Sequence, residues 1–409
     1  MLRRSRGTPK AYLSLLGGSL GLFISFGWVN CIALFQAEYE INQLQGYSSS
    51  SVSWITSTEL FLMLFISPVA GYLFDNYGPL VPIFIGGVLE VFGLMMASLA
   101  TEYYQFMLSQ AVVAGIGASM VFNPSMTSPM TYFRKLRAVA GGLAVAGSSI
   151  GGIVFPLMVN SLLPRIGFAW TMRACAFMIL GLWTIILACI SSNIPVKRRE
   201  FRFSLYVQAF QNANFLVLCA SAFFLYWGIM VPFNYLSVSA IARGMSMPMA
   251  LNLVPIMNAG SFVGRTVPNV IADRYGRFNV LIVMMILTFV ITLALWIPSG
   301  HSNAAIIVFA ALFGIGSGAS IGLLPVLVMN IFSSDQQVGF RMGAALAVGG
   351  IASLTSPPIG GAIAAVGARS YNNAFIFSAI STLVSGAFMV MLRGRVVGWT
   401  LLERDPMKA

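Results

Sequence analysis

The chain has 409 residues, 58% of them hydrophobic and only 8% charged, with a net charge of +12. Soluble domains carry about 25% charged residues, and surface grows too slowly with chain length to need so few, so the main solvent of this protein must be lipid. The positive charge is scattered over short loops, which argues against a nucleic-acid-binding patch and reads as a topology signal.

A bilayer crossing needs about 20 mostly apolar residues. Such runs are expected at 11–37, 51–74, 80–99, 104–131, 138–163, 169–190, 213–236, 248–272, 278–297, 303–331, 338–365 and 371–392. Backbone groups inside lipid must bond within their own segment, so each run is predicted to be a helix. The first run is too long for the apolar stretch of a signal peptide and reads as a retained spanning helix. Turn chemistry separates the runs at Tyr77-Gly78-Pro79, Pro164-Arg165-Ile166-Gly167 and Pro298-Ser299-Gly300. The longest polar interval, 191–212, is a predicted cytosolic linker. It divides an N-terminal six-helix half (1–190) from a C-terminal one (213–392), with a cytosolic tail at 393–409. The expected fold class is therefore all-α, twelve transmembrane helices in two pseudo-symmetric bundles.

Orientation follows from Lys and Arg. A cytosolic N-terminus puts eighteen of the 23 basic residues on the cytosolic side: Arg3, Arg4, Arg6, Lys10, Arg134, Lys135, Arg137, Lys197, Arg198, Arg199, Arg202, Arg274, Arg277, Arg341, Arg393, Arg395, Arg404 and Lys408. Only Arg165, Arg173, Arg243 and Arg369 fall outside, and Arg265 lies within a span. Both termini are expected in the cytosol.

The halves repeat. Gly117-Ala118-Ser119 answers Gly318-Ala319-Ser320, Pro124 answers Pro325, and Gly142 and Pro156 answer Gly343 and Pro357, all at an offset of 201. Gly71-Tyr-Leu-Phe-Asp75-Asn-Tyr-Gly78 answers Asn269-Val-Ile-Ala-Asp273-Arg-Tyr-Gly276 at 198. Repeats of this kind are a recurring plan of secondary transporters, with substrate near the midplane between the halves. An acid at a helix end beside a tight Gly turn can grip a neighbouring helix N-terminus or an Arg. Asp75, Asp273, Arg274 and Arg277 are thus candidate gating residues.

The duplicated Asp-x-Tyr-Gly loop resembles the loop signature of the major facilitator superfamily. The first copy departs from it, with Asn76 and Pro79 where basic residues are usual. Four further segments carry a narrower resemblance. They are Phe26-Gly-Trp-Val-Asn30 running on to Trp54-Ile55, Tyr132-Phe133-Arg-Lys-Leu-Arg137, Gly147-Ser-Ser-Ile-Gly-Gly152 before Phe155-Pro156, and Gly264-Arg265. Together they look like the monocarboxylate-permease-like branch in its fungal form, over residues 20–395. That resemblance makes Arg265 the carboxylate anchor. It puts Val29 or Asn30 where the proton-coupled animal members have a first-helix Lys, and Ser261 where they have an eighth-helix Asp. The groups expected to couple protons are therefore absent from those places. It also implies a cavity lined from the first, fourth, seventh and tenth helices by Trp28, Asn30, Asn123, Tyr226, Trp227, Asn234, Ser317 and Ser320. Each of these has a bland alternative, since polar side chains also tie helices together.

Intramembrane charge is costly and normally pairs or lines a water-filled path. Arg265 has a planar fork suited to a carboxylate ligand; the alternative is a tie to helix-end carbonyls. It stands eight residues before Asp273, about 12 Å along a helix, too far for a simple ion pair. Glu59 and Glu90 are proton-coupling candidates, the alternative being hydrogen-bonded structural carboxyls.

Cys31, Cys175, Cys189 and Cys219 lie in apolar runs without metal spacing, and His301 is the single histidine. No metal, cofactor or catalytic relay is expected, and the chain does not read as an enzyme. The glycine stretches follow no strand and precede no Lys-Ser/Thr, so they read as close helix contacts rather than nucleotide loops. The partners expected are an organic acid or other small solute, the lipid bilayer and a proton, with neither ATP nor nucleic acid. The resulting expectation is a secondary transporter of the plasma membrane that works by alternating access. Export of a carboxylate-bearing fungal secondary metabolite is preferred to uptake of a simple monocarboxylate or a vitamin, and a non-transporting sensor is the remote alternative.

Overall fold

The computed structural model describes residues 8–31, 34, 35, 38–133, 135–194, 196, 207, 209–332, 338–365 and 370–399, and every regular element among them is helical. Most of the linker 191–212 and of the tail 393–409 lies outside the described residues. So do the basic residues Arg3, Arg4, Arg6, Arg134, Lys197, Arg198, Arg199, Arg202, Arg369, Arg404 and Lys408.

Ten described helices are long and apolar enough to cross a membrane. They are α1 (Pro9–Val29), α2 (Ser51–Tyr77), α3 (Leu80–Ala97), α4 (Tyr103–Tyr132), the long run Arg137–Cys189, α7 (Ala213–Ala242), α9 (Arg277–Trp296), α10 (Asn303–Ile331), α11 (Val338–Ala364) and α12 (Tyr371–Val396). The long run is two helices, α5 (137–166) and α6 (168–189), broken at Gly167 by a φ of 72° that L side chains rarely adopt. The twelfth helix, α8 (Leu253–Tyr275), falls outside the ten because Arg265, Asp273, Arg274, Asn258 and Asn269 make it polar. The expected twelve-helix, all-α architecture is the one observed.

Local chemistry sets the ends. Asn212 Oδ1 accepts the amides of Asn214 and Phe215 at 3.0 and 3.2 Å to start α7, and Glu102 and Gln105 form a capping box at the head of α4. Gly78 and Gly276, at φ 79° and 105°, end α2 and α8. Of the apolar run 11–37, the continuous helix α1 takes residues up to Val29; residues 34 and 35 are helical again, and 32, 33, 36 and 37 lie outside the described residues. Helix α1 bends at Ser25 and stops at Val29, where Asn30 turns its side-chain amide back to the Phe26 carbonyl at 2.9 Å. An apolar run measures compatibility with lipid and does not by itself set where a helix ends.

The chain forms two compact units. Among the described residues, one holds α1–α4, α5 from Leu143, α6, and α11 up to Gly350; the other holds the start of α5 up to Gly142, α7–α10, α11 from Ile351, and α12. Each unit thus takes in the first turns of a helix whose remainder belongs to the other.

In the first unit α4 is the hub on which α1, α2 and α3 pack. Gly147 and Gly151 of α5 meet the carbonyls of Ser19 and Phe23 on α1 so closely that a Cβ would overlap them. Trp28, Phe35, Tyr39, Phe106 and Phe155 form a buried aromatic cluster, and Trp183 Nε1 donates to the Ile83 carbonyl at 2.9 Å.

In the second unit α8 lies against α10 through paired small residues. Gly260 and Gly264 face the carbonyls of Ala311 and Ile315, while Gly314 and Gly318 face those of Met257 and Ser261. Lipid tails are as apolar as leucine, so helices in a bilayer associate by close backbone approach and interhelical hydrogen bonds instead. The second device joins α7 to α12, where Ser221 Oγ and Ser385 Oγ each donate to the other's carbonyl, at 3.0 and 2.7 Å.

Gly264→Val should therefore destabilise the second unit by about 1–3 kcal/mol, the usual cost of overpacking. Gly181→Ala on α6, where a Cβ meets nothing within 4 Å, should change stability by no more than about 1 kcal/mol. Thermal unfolding of the detergent-solubilised variants, followed by size-exclusion chromatography, checks the contrast.

Candidate functional site

The repeated aspartates sit in matching places. Asp75, near the end of α2, accepts the amides of Gly339 and Phe340 at 3.0 and 2.9 Å, at the start of α11. Asp273, near the end of α8, accepts the amides of Ala138 and Val139 at 3.2 and 2.9 Å, at the start of α5. The acids are 198 residues apart and the amides 201, the same two offsets that relate the halves of the sequence. The first amides of a helix have no partner within it and carry the positive end of its dipole, so a carboxylate bridging two of them is a strong contact.

The two clasps differ in charge. Arg277 forms a salt bridge to Asp273 at 2.7 Å, through Nη2, with Nε at 2.9 Å. Pro79 occupies the equivalent position after Asp75. Arg274 is exposed. Arg137, which in the sequence marks topology and one of the resemblance segments, makes a further contact. Its Nη1 donates to the Met329 carbonyl at 3.0 Å and to Asn330 Oδ1 at 3.1 Å, capping the end of α10.

Arg265 is fully buried, the thirteenth of the 23 residues of α8. Its carbonyl accepts from Asn269 Nδ2 at 2.7 Å and lies against Gly142 of α5 so closely that a Cβ there would overlap it. Tyr226, buried on α7, lies within electrostatic reach of its guanidinium. Asp273 is engaged by Arg277 and by α5, in keeping with the distance along the helix. Of the residues singled out for the cavity, Tyr226 is thus the one within electrostatic reach of Arg265. Other residues singled out for the same cavity bond locally: Asn234 Nδ2 to the Met230 carbonyl at 2.8 Å, Ser317 Oγ to Phe313 at 2.8 Å, and Ser320 Oγ to Gly316 at 3.0 Å.

In the first unit, Asn123 donates to the Ser67 carbonyl at 3.1 Å and to its hydroxyl at 3.0 Å, tying α4 to α2. Trp28 Nε1 donates to Glu59 Oε1 at 2.9 Å, and Gln110 Nε2 donates to Glu59 Oε2 at 2.9 Å. Tyr39 in turn donates its hydroxyl to Gln110 Oε1. All four residues are buried. Gln110 and Tyr39 were invisible as partners from sequence, although a glutamine inside the apolar run of α4 is a signal that could have been read. Glu90 is buried on α3 beside Gly117 of α4, and neither carboxyl oxygen has a hydrogen-bond partner among the described residues.

Comparison with known proteins fits this architecture. The Major Facilitator Superfamily profile matches residues 18–333 and 260–406. A transporter of Penicillium oxalicum, the MFS-type transporter opdF, is 58% identical over 97% of this chain and 93% of its own. The fujikurins efflux protein of Gibberella fujikuroi is 38% identical over 94% of this chain and 82% of its own. Among solved structures, the fucose:proton symporter FucP of E. coli superposes with a TM-score of 0.71 over 93% of this chain and 98% of its own, at 15% identity, a likeness of fold alone. The chain belongs to the Major Facilitator Superfamily. It is a multi-pass membrane protein and a secondary transporter of small solutes.

The clasps predict a local signature. Asp273→Ala should speed hydrogen exchange at the amides of Ala138 and Val139, and Asp75→Ala at those of Gly339 and Phe340. Each loss is of about 1.5–3 kcal/mol of charge-assisted bonding, or roughly a tenfold to hundredfold change in local opening. Exchange mass spectrometry in nanodiscs reads both sites at once, and each substitution should leave the other site unchanged.

Proposed function

We propose that this chain exports an organic acid of fungal secondary metabolism, with Arg265 as the group that holds the carboxylate. The observation that carries the reading is Arg265 itself, a guanidinium buried midway along a membrane helix, with Tyr226 within electrostatic reach. Its planar fork matches a carboxylate, and a buried charge of this cost is normally kept for function. Tyr226 supplies a hydroxyl within electrostatic reach of it, and Asn234, Ser317 and Ser320 of the same unit complete the proposed lining. The hydroxyls of Ser317 and Ser320 each retain acceptor capacity for a ligand while donating to their own helix.

Export is supported by the kinship with the fujikurins efflux protein. The segments shared with the fungal monocarboxylate-permease-like branch support a carboxylate-bearing solute. In the proposed cycle the six-helix halves alternate access to that solute. The Asp75 and Asp273 clasps close and release as they do so, the second tuned by Arg277. Their charge-assisted bonds to helix starts are strong enough to hold a state and few enough to be broken. The distribution of basic residues supports both termini in the cytosol in this reading, and the plasma membrane is the family default.

The test is mass spectrometry of medium and cell extract from fungal cells carrying the intact protein, no protein, or Arg265→Gln, at equal membrane expression. One acidic metabolite is expected to move to the medium with the intact protein. Arg265→Gln should cut that movement at least about tenfold, the equivalent of losing one charged hydrogen bond. Unchanged export by the variant would remove Arg265 from the site. Accumulation inside the cell would replace export by uptake of a monocarboxylate or a vitamin.

A further inference from the structure

Glu59 is an acid buried in α2 whose two oxygens are both held by neutral donors, Trp28 Nε1 and Gln110 Nε2, each at 2.9 Å. Buried carboxylates are ordinarily matched by a cation, and none pairs with this one among the described residues. The titratable groups that face it are Cys31 and Tyr39 from the segment after α1 and Glu90 from α3, with Glu38 acting on Tyr39. Every one is neutral or acidic. Repulsion between Glu59 and Glu90 falls as soon as either binds a proton.

The partners of Glu59 can serve both of its protonation states. With Glu59 ionised, Gln110 Nε2 donates to Oε2 and the Tyr39 hydroxyl donates to Gln110 Oε1, as observed. A proton added to Oε2 makes that oxygen a donor. Turning the Gln110 amide over then lets Gln110 Oε1 accept from Glu59 and Nε2 donate to the Tyr39 oxygen, whose own hydrogen rotates away. Trp28 keeps its bond to Oε1 throughout. Only the O–H bond at Oε2 forms or breaks; its proton comes from water on one side and returns to water on the other. The switch also sits on irregular backbone. Gln110 lies in the π-helical stretch Met107–Ala114 of α4, and Tyr39 opens another at Tyr39–Gln43. Such stretches are rare and recur at functional sites.

We infer that Glu59 is the proton-binding group of this transporter and that Gln110 relays its state to α4 and to the segment after α1. This rests on the export reading, because an exporter working against a gradient needs a second solute moving down its own. In this scheme a proton bound at Glu59 travels inward as the organic acid travels out.

Difference infrared spectroscopy of the full chain in lipid nanodiscs, stepped in pH, reads the carboxyl without any solute. A protonated-carboxyl band that disappears on raising the pH is expected in the wild type and should be missing from Glu59→Gln. In Tyr39→Phe, which keeps the acid, the band should vanish at a pH displaced by about one unit, as expected for one altered hydrogen bond. An identical pH-dependent band in Glu59→Gln overturns the proposal. If that variant does not fold, an undisplaced band in both Tyr39→Phe and Gln110→Leu overturns it equally. Proteoliposome transport of the metabolite found in the medium then tests coupling. Glu59→Gln should lose pH-driven uphill movement yet keep exchange of labelled for unlabelled metabolite, and uphill movement as in the wild type would refute the role. A titrating Glu59 in a wild-type protein that moves no metabolite supports the proton site and counts against export instead.

Discussion

Lipid offers no hydrogen bond, and the rest of this structure follows from that fact. Every backbone must close on itself, so the described regular elements are all helices. Many polar side chains inside those helices also find partners in protein. Trp183 reaches a carbonyl on α3, Ser221 and Ser385 serve each other, and Asn123 holds Ser67. The same solvent gives helices little hydrophobic reason to associate, which is why glycine on α8 meets carbonyl on α10, and carbonyl on α8 meets glycine on α10.

Against this background the charged residues stand out as exceptions with identifiable work. At the helix ends, Asp75 and Asp273 satisfy amides that a helix cannot satisfy itself. The two clasps share one geometry, and they differ where Arg277 stands opposite Pro79. A contact of this type suits a transporter, because it is strong when made and involves only two amides. Deeper in the helices lie Arg265, Glu59 and Glu90, a cation in one unit and two acids in the other. That separation of charge gives each unit its own part in the proposed exchange: the solute anion in one, the proton in the other.

Much of the fold was legible in the sequence because lipid makes the hydropathy signal so strong. The polar break at 164–167, the repeat offsets and the polar character of α8 can all be read from residue order. Helix ends were less legible, as at Val29, where α1 ends although the sequence stays mostly apolar to residue 37. The candidate site was legible in its charges but not in its partners. Sequence marks Glu59 as unusual, yet nothing in its spacing says that Trp28, Gln110 and Tyr39, from three other segments, converge on it. Nor does it say that Ser317, Ser320 and Asn234 direct their donors to carbonyls of their own helices, since serine and asparagine in a helix look the same whether they face a ligand or the preceding turn.

The central claim is that the buried guanidinium of Arg265 selects the carboxylate of the solute. The most direct measurement is transport, by purified protein in proteoliposomes, of the exported acid beside its methyl ester, a pair that differs only in the group Arg265 is held to bind. If the claim is right, the wild type carries the acid and leaves the ester behind, and in Arg265→Gln the preference collapses. If the wild type carries acid and ester at the same protein-dependent rate, Arg265 does not read the carboxylate and the assignment of the site is wrong.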